Sequence, residues 1–309
     1  MLRPATPFAK YVRHPLEALA AVLLWGFFRI LPLDWASGIG GLIGGKIGPR
    51  LSISNRAKAR IKMAFPEKTE PEVEEIVIGM WQNLGRTIGE FPHSSRLSFD
   101  PADGRALISG QQHAEDFRDD GEAGIFFSAH IGNWELAPLV TLAYGIDSVF
   151  VYREANNRLI ERLYLLGRSS IRDILLRKGS EGAKGIMRAL RDKRHVGMLV
   201  DQKMNDGIAV PFFGHDAMTA PALAILALKF KCPILPARVI RIEGARFTID
   251  VGEPFYAEDT GDRDADILRT MTRVNETIEG WIREHPEQWM WLHNRWPKDI
   301  TDKVGNGIA

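Results

Sequence analysis

A single cysteine, Cys232, makes an intrachain disulfide impossible in this chain of 309 residues and leaves no sign of an oxidising compartment. It precedes Pro233 at the start of the apolar run Ile234–Ala237, the setting of a small core residue and not of a nucleophile. Cysteine pairs at zinc spacing and a His-Glu-x-x-His helix are both missing, which excludes the common zinc sites. Glycine-rich nucleotide loops are missing too: the glycines at 38, 40, 41, 44, 45 and 48 follow no strand and meet no lysine–serine/threonine ending. No metal and no cofactor is implied. Long apolar runs are also scarce. Ala18–Phe28 is uncharged between Glu17 and Arg29 and the apolar character resumes through Leu33, short of the roughly 20 residues that cross a bilayer core. Glu17 abutting that run, with no small-residue cleavage site after it, disfavours a signal peptide.

What is present is an ordinary globular composition, 45% hydrophobic and 26% charged, enough for one large α/β domain or two small ones. The net charge of +1 hides an asymmetry. Residues 1–62 carry ten Lys/Arg against Glu17 and Asp34, a net of +8 that leaves −7 for the remainder. A basic, apolar N-terminal segment on a mildly acidic body points to an anionic membrane surface. Nucleic acid is disfavoured, because the basic residues alternate with leucine, glycine and tryptophan instead of base-stacking aromatics on strands. Basic residues flank the apolar run on both sides, so an interfacial helix or hairpin, with Trp25 and Trp35 near headgroup level, is preferred to a single span.

The periodicity predicts a basic helix over 55–65 ending at Pro66, and a second over 70–90 with a core stripe of Val73, Ile76, Val77, Met80, Trp81, Leu84 and Ile88. From residue 124, β-rich runs (125–129, 147–152, 195–200, 234–240, 247–251) alternate with helical patterns near 133–144, 156–169, 180–193, 219–229 and 263–284. That alternation predicts an α/β fold, a mixed and mainly parallel sheet flanked by helices. The expected organisation is a membrane-associating segment over 1–50 and a main domain over 51–309, its helical part 51–100 and its α/β body 101–309. Sites in such sheets gather at the C-terminal ends of strands, where His130, Arg153 and Asp201 each follow an apolar run.

The sharpest signal is Gly124-Ile-Phe-Phe-Ser-Ala-His130-Ile-Gly-Asn-Trp-Glu135. Residues five apart in mid-helix diverge by about 140°, so His130 and Glu135 meet only if the histidine precedes the helix and the chain bends, as Gly132 permits. A histidine oriented by a carboxylate takes a proton from a hydroxyl, although a lone His-x4-Glu is a weak pattern, equally compatible with a strand-end histidine beside a helix-start glutamate. Arg168 follows the apolar stripe Leu159, Leu163, Leu166, and Asp201-Gln202 follows Val196–Val200. Phe212 and Phe213 suit an apolar pocket or the core, and Trp289, Trp291 and Trp296 suit interfacial anchoring or packing.

His130-Ile-Gly-Asn-Trp-Glu135 resembles the His-x4-Asp/Glu motif of the late lipid A acyltransferases, the lauroyl and myristoyl transferases of lipopolysaccharide assembly. Further blocks match in order: Val151-Tyr-Arg153 with Asn156-Asn157, Gly167-Arg168, Arg177-Lys178-Gly179, Asp201-Gln202, Val210-Pro-Phe-Phe-Gly214 with Thr219, and Trp289-Met-Trp291-Leu-His293 with Arg295-Trp296. The chain departs from the family at Asn294–Pro297, where Arg-Arg-Trp-Lys is usual. The resemblance spans about residues 15–297 and implies the glycerolipid acyltransferase fold and a direct acyl transfer from acyl carrier protein to a lipid A precursor at the cytoplasmic face of the inner membrane. His130, Glu135, Arg168 and Asp201 are then the catalytic set, with Glu135 fixing the imidazole. Arg153, Asn156, Gln202, Phe212, Phe213 and Thr219 contact substrate. A lysophospholipid, ornithine lipid or other glycolipid acceptor is the alternative, and a non-catalytic membrane-bound scaffold the third.

Overall fold

The computed structural model describes residues 9–99 and 105–297. Two helices, α1 (His14–Ile30) and α2 (Leu33–Ile47), are joined at Leu31–Pro32, where the proline cannot continue the first helix. α3 (Ile53–Ala64) and α4 (Glu70–Glu90) follow. Thr69 starts α4 by donating its backbone N–H to Glu72 Oε2 at 2.8 Å, and Pro71 occupies the first turn.

The body alternates as expected. β1 (Ala106–Ser109) and α5 (Gln111–Asp119) lead into β2 (Gly124–Ser128), α6 (Ala137–Ala143), β3 (Ser148–Tyr152) and α7 (Arg158–Gly167). β4 (Leu175–Arg177), α8 (Ser180–Arg191) and β5 (His195–Leu199) come next. A hairpin of β6 (Lys203–Phe212) and β7 (His215–Thr219) precedes α9 (Ala222–Phe230), β8 (Ile234–Glu243), β9 (Arg246–Val251) and α10 (Arg263–Glu284). The seven-stranded sheet has the order β1-β9-β8-β2-β5-β3-β4. All its pairings are parallel except β8 with β9. β2 is central and buried along its whole length, which is why it reads as an unbroken apolar run. The β6–β7 hairpin turns at Phe213 and Gly214, both with positive φ, as a two-residue hairpin loop requires.

The tryptophan question is decided by packing. Trp289, Trp291 and Trp296 are fully buried and meet Phe212 and Phe213 edge-on or tilted, with Trp296 Nε1 donating to Phe212 O at 3.1 Å. They close the core beneath the hairpin, and none is an interfacial anchor.

α4 departs from the expected stripe in its second half. Val73, Ile76, Val77 and Met80 are buried, but Ile88 is exposed, and Asn83, Gly85, Thr87, Gly89 and Glu90 take the inner face instead. The reason is α2. A Cβ on Gly40 would land on the backbone oxygen of Gly85, and one on Gly85 on that of Gly40, so the two helices approach backbone to backbone. The N-terminal glycines that carry no nucleotide signature are thus, in part, a packing surface. The boundary expected near residue 50 separates two helices that share this contact. Arg60, one of the basic residues of the helix expected over 55–65, is buried and donates to Trp291 O at 2.8 Å and Asn294 Oδ1 at 2.7 Å.

On the outer side, Leu16, Leu19, Leu23, Phe27 and Ile30 recur three or four apart along α1 and are all exposed, as are Trp35, Leu42, Ile43 and Ile47 on α2. No helix among the described residues is long and apolar enough to cross a membrane.

Candidate active site

β2 and β5 run parallel with Ser128 opposite Leu199, so His130 and Asp201, each two residues past its strand, emerge side by side at the C-terminal edge of the sheet. Gly132 makes the turn after His130 possible: its φ is +57°, and any Cβ would strike Val239 O. Asp201 is fully buried and accepts three hydrogen bonds. His130 Nδ1 reaches Oδ1 at 2.8 Å, the His130 backbone N–H donates to Oδ2 at 2.8 Å, and Trp289 Nε1 donates to Oδ2 at 2.9 Å. The imidazole is therefore fixed by Asp201, and the expected pairing of Glu135 with the ring is not the one that the structure makes.

The field around the pair follows. Burial alone would raise the Asp201 carboxyl, but the His130 charge and the converging donors hold it well below the usual carboxylate range. Burial disfavours the His130 imidazolium, yet the Asp201 charge and hydrogen bond, aided by the charge of Glu135, outweigh it and set its pKa above 6.5. With Nδ1–H directed at Asp201, Nε2 is the ring's acceptor, and the Gln202 side-chain amide nitrogen stands 3.2 Å from it. The same amide nitrogen is 3.4 Å from His293 Nε2, and the His293 ring lies edge-on to His130 with centroids 4.7 Å apart. Burial first, and then the nearby His130 charge, pull His293 down to about 4, so it is neutral at physiological pH.

Glu135 heads a second group. It accepts from Arg168 Nε at 3.0 Å and Nη2 at 2.6 Å through Oε2, and from the Tyr164 hydroxyl at 2.7 Å through Oε1. The Arg168 guanidinium also lies 4.1 Å from the centre of the Tyr164 ring. Burial raises the Tyr164 hydroxyl pKa, and the Glu135 charge adds to it, so the phenol stays protonated as a donor. Arg168 is 13% exposed at the end of α7, which makes it neither a free surface arginine nor a buried one.

The remaining expected residues scatter. Arg153 and Asn156 are exposed after β3 and approach each other only at 3.5 Å; among the described residues no hydrogen bond joins them to the His130 group. Thr219 is fully buried and accepts from Arg295 Nη2 at 2.8 Å, while Phe212 and Phe213 are core residues. These three shape the body and do not face an open substrate site. Arg295, also fully buried, donates to Asn275 Oδ1 at 3.0 Å, so the basic residue retained at the departure from the family pattern is structural. Sequence reasoning missed Tyr164, Trp289 and His293 as parts of the site. The last two stand in the Trp289–His293 motif, but it takes the bridge between Ile131 and Trp289 and the Trp289 bond to Asp201 to bring that segment onto the turn that carries His130.

The chain compares with known proteins as follows. The family model for bacterial lipid A biosynthesis acyltransferases matches residues 5–298. The lipid A biosynthesis lauroyltransferase of Escherichia coli (strain K12) is 25% identical over 308 residues, covering 93% of this chain and 94% of that one. Lipid A biosynthesis acyltransferase 2 of Shigella flexneri is 24% identical over 251 residues, 79% of this chain and 78% of that one. A 1-acyl-sn-glycerophosphate acyltransferase crystal structure from Thermotoga maritima aligns over 86% of this chain and 98% of its own at 12% identity, with a TM-score of 0.37, too loose a likeness to bear on the site. With the match to the family model running almost end to end, the chain belongs to the bacterial lipid A biosynthesis acyltransferase family and is an O-acyltransferase.

Proposed function

We propose that the enzyme transfers a fatty acyl chain directly from an acyl-carrier-protein thioester to a hydroxyl of a lipid A precursor. His130 Nε2 takes the proton of the acceptor hydroxyl as its oxygen attacks the thioester carbonyl. The tetrahedral adduct collapses with loss of the C–S bond, and the proton passes from the imidazolium to the departing thiolate. Asp201 holds the ring in the tautomer that leaves Nε2 unprotonated and stabilises the imidazolium, the work a triad carboxylate does elsewhere. No acyl-enzyme is needed. Arg168, braced by Glu135 and Tyr164, presents a fixed cation to the oxyanion or to an acceptor phosphate.

One observation carries the reading: a strand-end histidine with Nδ1 held at 2.8 Å by a buried carboxylate and Nε2 turned toward a polar, accessible side chain. The exposed apolar faces of α1 and α2 support seating on a membrane surface, in this reading the cytoplasmic face of the inner membrane. Incubating the purified protein with dodecanoyl-acyl-carrier protein and under-acylated lipid A, and weighing the lipid product by mass spectrometry, tests it. A mass gain of one acyl ester on lipid A is expected. Acylation of a lysophospholipid or ornithine lipid in its place would overturn the acceptor, and no transfer to any of them would overturn the activity.

A further inference from the structure

The buried half of α4 that replaces the expected apolar stripe converges on one side chain. Glu90 is fully buried, 0% exposed. Its Oε1 accepts from Ser37 Oγ of α2 at 2.6 Å and from Arg241 Nη1. Its Oε2 accepts from Asn133 Nδ2 at 2.7 Å and from Arg241 Nη2 at 3.0 Å. Asn133 stands between His130 and Glu135 in the catalytic turn. Beside it, Asn83 of α4 donates to Gly132 O at 2.8 Å and accepts from Arg241 Nε at 2.9 Å. Backbone bonds from Gly132 N to Gln288 O at 3.1 Å and from Asn133 N to Val239 O at 3.2 Å complete the cradle. No member of this network touches the reacting atoms. A paired, buried charge is a poor way to gain stability compared with apolar packing, so its placement under the one turn that carries both site groups calls for another account.

We propose that Glu90, clamped by Arg241, is the positioning residue of the catalytic turn, and that through Ser37 it ties the setting of that turn to the seating of α2 on the lipid surface. The second half rests on the membrane-bound reading given above. Ser37 is on the face of α2 that meets α4, while Trp35, Leu42, Ile43 and Ile47 of the same helix are exposed. A change in how α2 is held by lipid therefore bears on Glu90 most directly through the 2.6 Å bond from Ser37, beside the backbone packing of α2 on α4, and Glu90 bears on Asn133 through another bond. Asn83, Glu90 and Arg241 are positioning residues, not catalytic ones.

The test is hydrogen–deuterium exchange of the full chain, read at the peptide covering 130–136, with and without vesicles of phosphatidylethanolamine and phosphatidylglycerol, beside turnover of dodecanoyl-acyl-carrier protein and under-acylated lipid A. Vesicles should slow exchange of that peptide in the unaltered protein. Ser37→Ala should abolish the vesicle effect and speed exchange about 5- to 150-fold, the range for a buried group left without its hydrogen bond. Its kcat should fall with both KM values held. Asn133→Ala should do the same, while Ser94→Ala, a buried serine bonded locally to Phe91 O, should change neither. Glu90→Gln keeps shape but presents an amide to the Asn133 donor, and Ser37→Ala decides the matter if that variant does not fold. Unchanged exchange at 130–136 in Ser37→Ala overturns the coupling. Faster exchange with unchanged kcat overturns the positioning role. An unaltered protein that fails to acylate the lipid sinks the proposed substrates alone, since the exchange arm still decides the coupling.

Discussion

Replacing Asp201 by asparagine keeps the shape of the carboxylate and removes its charge, so it isolates the partner of His130. The imidazolium formed in the transition state has Nδ1 2.8 Å from Asp201 Oδ1, and a unit pair with charge centres about 4 Å apart is worth about 4 kcal/mol at an effective dielectric of about 20. Asp201 is fully buried and the His130 side chain is only 13% exposed, so little of this is lost to solvent. The expected fall in kcat is about 10³-fold, some tenfold less than the roughly 10⁴ that the same change costs a serine-protease triad. The pH profile carries the diagnostic. The base must be neutral to act, and the Asp201 charge helps hold His130 above 6.5; the acid limb of kcat/KM should therefore rise above pH 6.5 in the unaltered enzyme and move to lower pH in Asp201→Asn. Glu135→Gln should lower kcat through Arg168 while shifting that limb much less. Stability follows the same pair with opposite signs. The depressed Asp201 contributes above its unfolded pKa and loses its contribution as pH falls through the folded value, whereas the raised His130 contributes fully below 6.5 and loses its share as pH rises through its folded value. Steady-state kinetics from pH 5 to 9 on the folded variant decide it. An Asp201→Asn enzyme within tenfold of the unaltered one, beside a Glu135→Gln enzyme that loses the acid limb, would refute the assignment of Asp201 as the orienter.

Three further expectations follow from the geometry. Arg168→Lys should be nearly as damaging to kcat as Arg168→Ala, because lysine loses the planar fork that engages Glu135 through two nitrogens; a fully active lysine variant would reduce the arginine to a structural role. Gly85→Ala, which in an exposed helix would stabilise by about 1 kcal/mol, should instead destabilise by about 1–3 kcal/mol through its clash with Gly40 O, measured by urea unfolding, and a gain in stability would mean that α2 and α4 are not packed as described. Leu19→Glu with Leu23→Glu, both on the exposed face of α1, should weaken sedimentation with anionic vesicles without changing the far-ultraviolet circular dichroism spectrum; unchanged binding would remove this face from the membrane account.

Much of the body was legible because its signals are local. β2 reads as an apolar run since parallel central strands are buried on both faces, and α10 begins and ends at 263 and 284, where its pattern does. The turn at Gly132 was likewise visible in the residues. The partner of His130 was not, because Asp201 is 71 positions away and reaches it only through the register of β2 on β5. Spacing favours the carboxylate five residues on, yet the chain bends so that Glu135 faces α7 and grips Arg168. The second half of α4 was misread for a related reason. Leu84 and Ile88 fit the helical period, but helix–helix contact through glycine backbones selects the opposite residues for burial, and period alone does not show which face a neighbour chooses. Phe212 and Phe213 had two open readings, and only the surrounding tryptophans place them in the core.

The most direct measurement is turnover of His130→Ala, with dodecanoyl-acyl-carrier protein as donor and under-acylated lipid A as acceptor, in a variant whose fold is verified by circular dichroism and thermal unfolding. Loss of the general base should lower turnover by about 10²–10⁴, with the residual rate no longer showing the limb near the raised His130 pKa. A folded His130→Ala enzyme that acylates at close to the unaltered rate would contradict the mechanism at its centre.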